Sequence, residues 1–303
     1  MAKTKYGHLV KKLPFTRDGA GGYRQGTELD GKFLGLDVHI KYGTFYSAGK
    51  VGEAPYGTHN HDFNQVLLWL GADCTDLSEL GAEIELNLGE KKERDRHVFT
   101  SSSAVYIPKT VPHFPATINR LDQRFIYMEL SQAPECKTRA VAPGKAPSED
   151  APLATWFSKN SKRISHLTFH RKSAWHYGPL NRDDSGGSIA ELHCPDFAYG
   201  MMWESIRKAP YRFGPIPDKP HVHTWDEFLF FIGTDTNDLS KFGAECEMYM
   251  GKEMERHVIT EPTVVIQPKG FPHCPLVVTK LERPFVFSVV YPYGSRAPQP
   301  PKA

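Results

Sequence analysis

The sequence has no long apolar run, few cysteines and almost no net charge, and each absence argues against a class of protein. No segment approaches the roughly 20 apolar residues of a membrane-spanning helix, and the first twelve residues lack the apolar region of a secretory signal. The five cysteines form no CxxC pair, which argues against a disulfide framework and favours a reducing cytoplasm. Lys and Arg number 37 against 35 Asp and Glu, and this balance does not fit a nucleic-acid-binding surface. We therefore expect a cytoplasmic protein with a small-molecule partner and with no nucleic-acid or membrane partner.

The clearest feature that is present is an internal repeat. Residues 59–89 align without a gap on residues 221–251, and His59 and His61 fall on the two histidines at the start of the second segment. Two residues then drop out of the second copy, after which His113 aligns with His273. So many ordered matches indicate that the chain contains one structural unit twice.

Each half of the repeat consists of short apolar runs separated by turn residues. Their β-branched and aromatic content and their flanking Gly and Pro favour strands, and no stretch keeps a 3.6-residue apolar period long enough for a major helix. The predicted fold class is therefore all-β, with a sandwich or barrel in each half. The predicted parts are an N-terminal domain at 1–132, a linker at 133–155, a C-terminal domain at 156–294 and a Pro-rich tail at 295–303.

The second half contains a pattern of metal ligands. His221, His223 and Glu227 follow the spacing H-x-H-x3-E, and on one strand their shared parity would direct all three side chains to the same face. His273 opens the run after a turn that contains Pro and Gly. Imidazoles and a carboxylate suit divalent first-row metals, and four ligands leave two positions of an octahedral metal for substrate, water or oxygen. We therefore predict a metal centre, with Fe(II) as the expected metal and Mn, Ni, Zn, Cu or Co as alternatives.

The first half repeats this pattern with one change. His59, His61 and His113 occupy the equivalent positions, but Gln65 stands where the second half has Glu227. An amide oxygen is a weaker ligand than a carboxylate and neutralises no charge. The first half is therefore predicted to hold metal weakly, to hold a different metal or to keep a vestigial pocket.

Other conspicuous residues have an ordinary structural interpretation. His97 and His257 come just before apolar runs, and we interpret them as structural, with a supporting role beside the metal as the alternative. Glutamates that alternate with apolar residues, such as Glu83 and Glu85, indicate a half-exposed strand face, with inward carboxylates that act as acid or base as the alternative. Four aromatic residues are expected to pack in the core, with pocket lining as the alternative: Trp69, Trp225, Phe230 and Phe231.

Together the motifs resemble those of the cupin superfamily, and the chain is similar to a two-domain cupin, or bicupin, over nearly its whole length. The resemblance implies a double-stranded β-helix, or jelly roll, in each half, with a metal inside the barrel. It is carried in the second half by His221, His223, Glu227, Gly233, Pro268, Gly270 and His273. The first half departs from the pattern at Gln65, which concerns the metal site, and at Thr110, which concerns only the turn.

The resemblance leaves several functions open, because cupins include dioxygenases, decarboxylases, isomerases, lyases, regulators and storage proteins. Our leading hypothesis is an Fe(II)-type dioxygenase that acts on a small substrate chelating through two oxygens, such as a catechol, an enol or a hydroxy-ketone. Glu227 is then both a metal ligand and the candidate catalytic proton acceptor. The alternatives are a non-redox lyase, isomerase or decarboxylase with the same ligands, and a binding protein without catalysis. A homodimer is an expectation from the family alone.

Overall fold

A computed structural model describes most of the chain, and regular structure there is almost entirely β. The described residues are 4–17, 25–51, 57–89, 94–141, 152–155, 158–170, 187–194, 198–213 and 219–292. An α-helix of four residues, Gly31–Leu34, begins where the Asp30 carboxylate accepts from the backbone N–H of Phe33 at 2.7 Å. Within the described residues, every helix is too short or too polar to cross a membrane.

The strands follow the apolar runs of both repeats, so the all-β prediction is confirmed. In chain order they are β1 (Val10–Lys12), β2 (Thr16–Arg17), β3 (Gln25–Leu29), β4 (His39–Thr44), β5 (Gly49–Val51), β6 (His59–Asn60), β7 (Gln65–Leu70), β8 (Glu79–Leu88), β9 (Asp95–Ser101), β10 (Ser103–Ile107), β11 (His113–Leu121), β12 (Ile126–Ser131), β13 (Arg139–Ala140), β14 (Ile164–His166), β15 (Ile189–Cys194), β16 (Tyr199–Ile206), β17 (Tyr211–Phe213), β18 (Glu227–Gly233), β19 (Ala244–Met250), β20 (Glu255–Ile259), β21 (Thr263–Gln267), β22 (His273–Leu281) and β23 (Phe285–Tyr291). Short 3-10 turns precede β1 and β14 at Gly7–Leu9 and Ser161–Arg163.

The chain divides into two compact units, each built around one copy of the repeat. The N-terminal unit consists of Pro14–Ala72 and Ser78–Leu167, and the C-terminal unit consists of Met1–Leu13, Asp73–Leu77 and Thr168–Ala303. Each unit thus includes short segments from outside its own copy of the repeat. The predicted domain boundaries at 132 and 156 were drawn from the repeat alone. They therefore do not assign these short segments to a unit.

Each unit has two antiparallel sheets that share one apolar core. In the N-terminal unit the strand orders are β14-β10-β7-β12-β4-β3-β2 and β13-β6-β11-β8-β9, with β5 beside β11. In the C-terminal unit they are β1-β21-β18-β23-β16-β15 and β17-β22-β19-β20. Several neighbours in these orders, such as β7 and β12 or β18 and β23, are far apart in sequence, as in a jelly roll.

Alternation along the strands decides which side chains enter the core. In β8, Ala82, Ile84 and Leu86 are buried in the N-terminal core, whereas Glu83 and Glu85 between them face outward. Glu85 lies 3.5 Å from Arg96 on the adjacent strand β9. These glutamates therefore belong to a half-exposed face, as predicted, and are not inward acids or bases.

Short segments from elsewhere in the chain pair with equivalent sheet edges in the two units. In the C-terminal unit β1 pairs with β21, placing Val10 opposite Val265. In the N-terminal unit β14 pairs with β10, placing Ile164 opposite Val105. A free strand edge exposes unpaired backbone groups, so each segment satisfies an edge that would otherwise invite association.

Two candidate metal centres

The C-terminal histidines do not lie on one strand with Glu227, contrary to the predicted pleated segment. His221 forms an isolated antiparallel bridge with His273, the first residue of β22, through two backbone hydrogen bonds of 3.0 Å. The chain bends at 224–225 before Glu227 opens β18. The Gly270 N–H donates to the carbonyl oxygen of His223 at 2.9 Å and ties the second motif to the first. Backbone pairing between the motifs, and not strand parity, therefore places the histidines.

The four predicted ligands of the C-terminal unit nevertheless converge. The ligand atoms of His221, His223 and His273 all lie within 4.8 Å of one another. Glu227 Oε1 lies 3.0 Å from His273 Nε2 and 3.5 Å from His223 Nε2, and its side chain is buried. The Nε2 atoms of His221 and His223 are 3.1 Å apart. Three ring nitrogens and one carboxylate oxygen in this arrangement can hold a divalent cation.

Aromatic residues cover this centre. The Trp225 indole stacks on the His223 imidazole, with ring centroids 4.9 Å apart and an angle of 23° between the rings. Its other neighbour is Tyr291, at 5.9 Å. Trp69, Phe230 and Phe231 are fully buried, as expected of core residues. Trp225 is partly buried and contacts the candidate ligand His223 as well as the core, so core packing alone does not describe its role.

The N-terminal centre has a fixed tautomer at each histidine. The Nδ1 atoms of His59, His61 and His113 each donate to a backbone carbonyl oxygen, at 3.1, 2.9 and 3.0 Å respectively. A carbonyl oxygen can only accept, so the hydrogen lies on Nδ1 and the Nε2 lone pair is available. Ligating atoms of the three rings lie within 4.8 Å of one another. Backbone partners of this kind orient metal-binding imidazoles in proteins.

Unbonded atoms in the N-terminal centre fit a metal. In the described part of the chain, the Nε2 atoms of His61 and His113 are buried and without a hydrogen-bond partner. Gln65 opens β7 as Glu227 opens β18; its Nε2 donates to Ser131 Oγ at 3.4 Å, and its buried Oε1 is unbonded. Buried acceptors without partners are costly unless a ligand satisfies them. The donor set therefore fits a divalent cation, although it lacks a carboxylate.

Burial keeps three of these histidines in the form that binds metal, because it lowers the pKa of each. The pKa of His113 is held well below its usual value, first by burial and then by the neighbouring imidazoles of His59 and His61. Burial also lowers the pKa of His61. In the C-terminal centre burial lowers the pKa of His223, and Glu227 opposes the shift. Neutral imidazole is the ligating species, so these shifts favour metal binding.

These shifts predict that the metal-free protein loses stability on acidification. Imidazoles with lowered pKa values take up protons at lower pH in the folded state than in the unfolded state. Between the unfolded pKa of about 6.5 and the lower folded values, the unfolded chain binds more protons, so stability falls as pH falls. Urea unfolding of chelator-treated protein should show a loss of at least about 1 kcal/mol between about pH 7.5 and 5.5. His113→Leu should reduce this slope, and an equal slope in the variant would contradict the explanation.

His97 and His257 lie outside both triads. His97 Nε2 bonds with Asp95 Oδ1 at 2.7 Å, and His257 Nε2 lies 2.8 Å from Glu255 Oε1. Each histidine thus pairs with a carboxylate two residues earlier on its own strand. The structural interpretation of both residues agrees with this geometry.

Two polar residues beside the C-terminal centre were not identified from the sequence. Gln267, at the end of β21, is the ladder partner of Glu227, and its side chain is buried. Tyr291 ends β23, and burial together with the charges of Glu227 and Glu191 raises its pKa. Residues two apart on a strand share a face, which groups Gln267 with Val265 and Tyr291 with Val289 of the core. Only the register between the strands places them beside Glu227.

Comparisons with known proteins identify the fold. No protein-family model matches the chain, and no curated protein sequence matches it. A variant of oxalate decarboxylase from Bacillus subtilis superimposes with a TM-score of 0.59 and 10% identity, covering 95% of this chain and 78% of the other. Vicilin from hazelnut, Corylus avellana, superimposes with a TM-score of 0.60 and 10% identity over 95% and 86%. The chain has the bicupin fold.

The bicupin fold agrees with the predicted resemblance and with two jelly rolls in one chain. Another similar structure comes from a study of the Mn(II) centres of the Bacillus subtilis oxalate decarboxylase, with a TM-score of 0.59 and 10% identity over 95% and 78%. At such identities the likeness establishes the fold alone. What this bicupin does must be argued from its own side chains.

Proposed function

We propose that this bicupin is a metal-dependent enzyme that acts on a small substrate with two oxygen donors, at the C-terminal centre. The observation that carries the proposal is the convergence of the His221, His223 and His273 ligand atoms within 4.8 Å, beside the buried carboxylate of Glu227. A buried carboxylate needs a positive partner, and a divalent metal supplies one. We propose Fe(II) as the metal, while the study of Mn(II) centres in a protein of the same fold supports Mn(II) as an alternative.

The residues around this centre have different proposed roles. The bound metal would acidify a coordinated hydroxyl and polarise a coordinated carbonyl. Glu227 lowers the net charge of the site and is placed to accept the proton that a chelating hydroxyl loses. The raised pKa of Tyr291 keeps its phenol protonated, so that it can donate a hydrogen bond. Trp225 covers His223 and limits the access of water.

Dioxygenation is the reaction that we propose first. A catechol, enol or hydroxy-ketone would bind through both oxygens, and one carbon–carbon bond would break while both atoms of O2 enter the products. The substrate supplies the four electrons that reduce O2, so no external reductant is needed. Three neutral imidazoles and one carboxylate form a ligand set that iron accepts in its divalent state.

Two other functions have specific support. Likeness to oxalate decarboxylase supports a non-redox decarboxylase, lyase or isomerase that uses the same four ligands without O2. Likeness to vicilin supports a bicupin that binds small molecules without turnover. We propose the non-redox enzyme second, because the ligands of the C-terminal centre are all present.

The experiment that tests the proposal compares metals and atmospheres. Iron-loaded protein is expected to consume O2 with at least one member of a panel of catechols, enols and hydroxy-ketones, and His221→Ala should abolish the uptake. Turnover under strict anaerobiosis, or with Zn or Ni in place of Fe, would identify the non-redox enzyme. Thermal stabilisation by a panel member without turnover, of about 2.7 kcal/mol at a concentration of 100 times Kd, would indicate the binding protein. No consumption by protein that retains iron would contradict dioxygenation.

Two further aspects are part of the proposal. All five cysteines are free thiols, which supports a reducing compartment such as the cytoplasm. A homodimer is proposed from the family resemblance, and the apparent mass in solution would test it.

A further inference from the structure

Gln267 is a buried amide whose polar atoms find no partner among the residues that the structure describes. Its side chain is 1% exposed, and neither Nε2 nor Oε1 makes a hydrogen bond within the described residues. Among those residues, Gln267 is the only side chain with two buried, unbonded polar atoms. An unmet donor and an unmet acceptor on one buried group are costly to the folded protein. Such a group indicates a function that compensates for the cost.

The position of Gln267 connects it to the metal centre. It lies directly opposite Glu227 in the antiparallel ladder between β21 and β18. Side chains opposite one another in a ladder share a face, with Cβ atoms about 5 Å apart. Val265 and Leu229, two residues from each of them, belong to the C-terminal core, so this face is the interior of the unit. The amide therefore enters the barrel next to the carboxylate of the centre.

The N-terminal unit lacks this amide. Ile107 is the ladder partner of Gln65, as Gln267 is the ladder partner of Glu227. Ile107 packs in the apolar core of its unit and offers no donor or acceptor. The two units thus differ in what they present beside the fourth ligand, and the polar neighbour occurs beside the carboxylate.

We propose that Gln267 is a specificity-determining residue. It forms hydrogen bonds with one hydroxyl and with one oxyanion or carbonyl oxygen on adjacent carbons of the substrate. This inference rests on the proposed function. The amide Nε2–H donates to the anionic or carbonyl oxygen, and Oε1 accepts from the remaining hydroxyl. A singly ionised catechol or a hydroxy-ketone satisfies both atoms. A dicarboxylate such as oxalate offers acceptors only and leaves Oε1 unsatisfied, so the site discriminates against it.

The test compares two probes on full-length protein loaded with redox-inert zinc. Titration calorimetry gives Kd for catechol and for oxalate with the wild type, Gln267→Leu and Gln267→Met. We expect Kd for catechol to rise about tenfold or more in both variants, whereas Kd for oxalate changes by less than about threefold. The ligand-free variants should melt no lower than the wild type, because the unmet amide is gone. Zinc content should stay unchanged.

Thr263→Val is the matched control. Thr263 lies on the same strand and the same face, four residues away, is buried, and donates its hydroxyl to the Glu261 carbonyl oxygen at 2.8 Å. The substitution removes a buried polar atom remote from Glu227 and should leave both Kd values unchanged.

Separate outcomes overturn this inference and the proposed function. If Kd rose equally for both probes, or changed for neither, the proposal that Gln267 recognises a donor and an acceptor on the substrate would be refuted. Loss of zinc from the variants would refute it too, because Gln267 would then act through the metal. Wild-type protein that holds zinc but binds neither probe would contradict the proposed function itself.

Discussion

Replacing His221 with alanine is expected to weaken metal binding at the C-terminal centre about a hundredfold or more and to abolish activity. His59→Ala, its counterpart in the N-terminal unit, should remove at most the more weakly bound ion. The reason is the charge of the fourth ligand, since Glu227 neutralises part of a dication and Gln65 does not. The three Nδ1 hydrogen bonds of the N-terminal centre orient its imidazoles. Orientation of the imidazoles adds no negative charge. We therefore expect the carboxylate to make the C-terminal centre the tighter of the two metal sites.

Metal analysis of protein purified without added metal measures this effect. One metal per chain in the wild type, lost in His221→Ala and retained in His59→Ala, would support a division of labour between the units. Two metals per chain would show that the Gln65 centre is also occupied. His257→Ala removes another buried imidazole from the C-terminal unit, one that pairs with Glu255 at 2.8 Å, and should keep the metal. If only His59→Ala emptied the protein, the predicted order would be reversed.

Exchanging the fourth ligands between the centres is expected to exchange their affinities. Glu227→Gln gives the C-terminal centre the donor set of the N-terminal one, and its metal affinity should fall between about tenfold and a hundredfold. Gln65→Glu should raise the affinity of the N-terminal centre, because a carboxylate there would face a dication in a buried site. Competition with a chelator of known affinity measures both changes. A full loss of dioxygenase activity in Glu227→Gln protein resupplied with iron would support a catalytic role beyond ligation.

Glu204→Gln is the control for the loss of a buried carboxylate. Glu204 is buried on β16, where the hydroxyl of Tyr211 donates to its Oε1 at 3.4 Å. It shares parity with Met202 and Ile206 of the C-terminal core, and its ladder partner is Phe287. Phe287 also pairs with Phe231 of β18, which is four residues beyond Glu227. Glu204 therefore lies four residues along the sheet from Glu227. Its substitution should leave metal affinity unchanged, and equal losses in Glu204→Gln and Glu227→Gln would point to the general charge of the barrel.

The sequence predicted the strands well, because strand formation depends on the local pattern of residues. Apolar runs between Gly and Pro residues became β7, β8, β10 and β12 in one unit and β18, β19, β21 and β23 in the other. The turn before His273 also forms as predicted, with Gly270 at a φ of 75°. Thr110 adopts a similar φ of 69° at the equivalent position, so the departure from the motif changed the residue and kept the turn.

The side chains of His221, His223 and Glu227 do lie close together, but not for the reason that the parity argument gave. It assumed one continuous strand, but the chain bends at 224–225 and His221 pairs with His273 instead. A local pattern cannot reveal such a bend, because the hydrogen bonds on either side of it come from residues about 50 positions later in the chain.

What the sequence alone determined is the duplication, the β class and the residue types at the two candidate centres, since each follows from residue type and spacing along the chain. The tertiary structure decided the rest. It placed Gln267 opposite Glu227 and paired Val10 with Val265. It also buried the Nε2 atoms of His61 and His113 in a site where no described residue bonds to them. Register between strands and burial are properties of pairs of distant segments, and their free energy exists only once those segments have met.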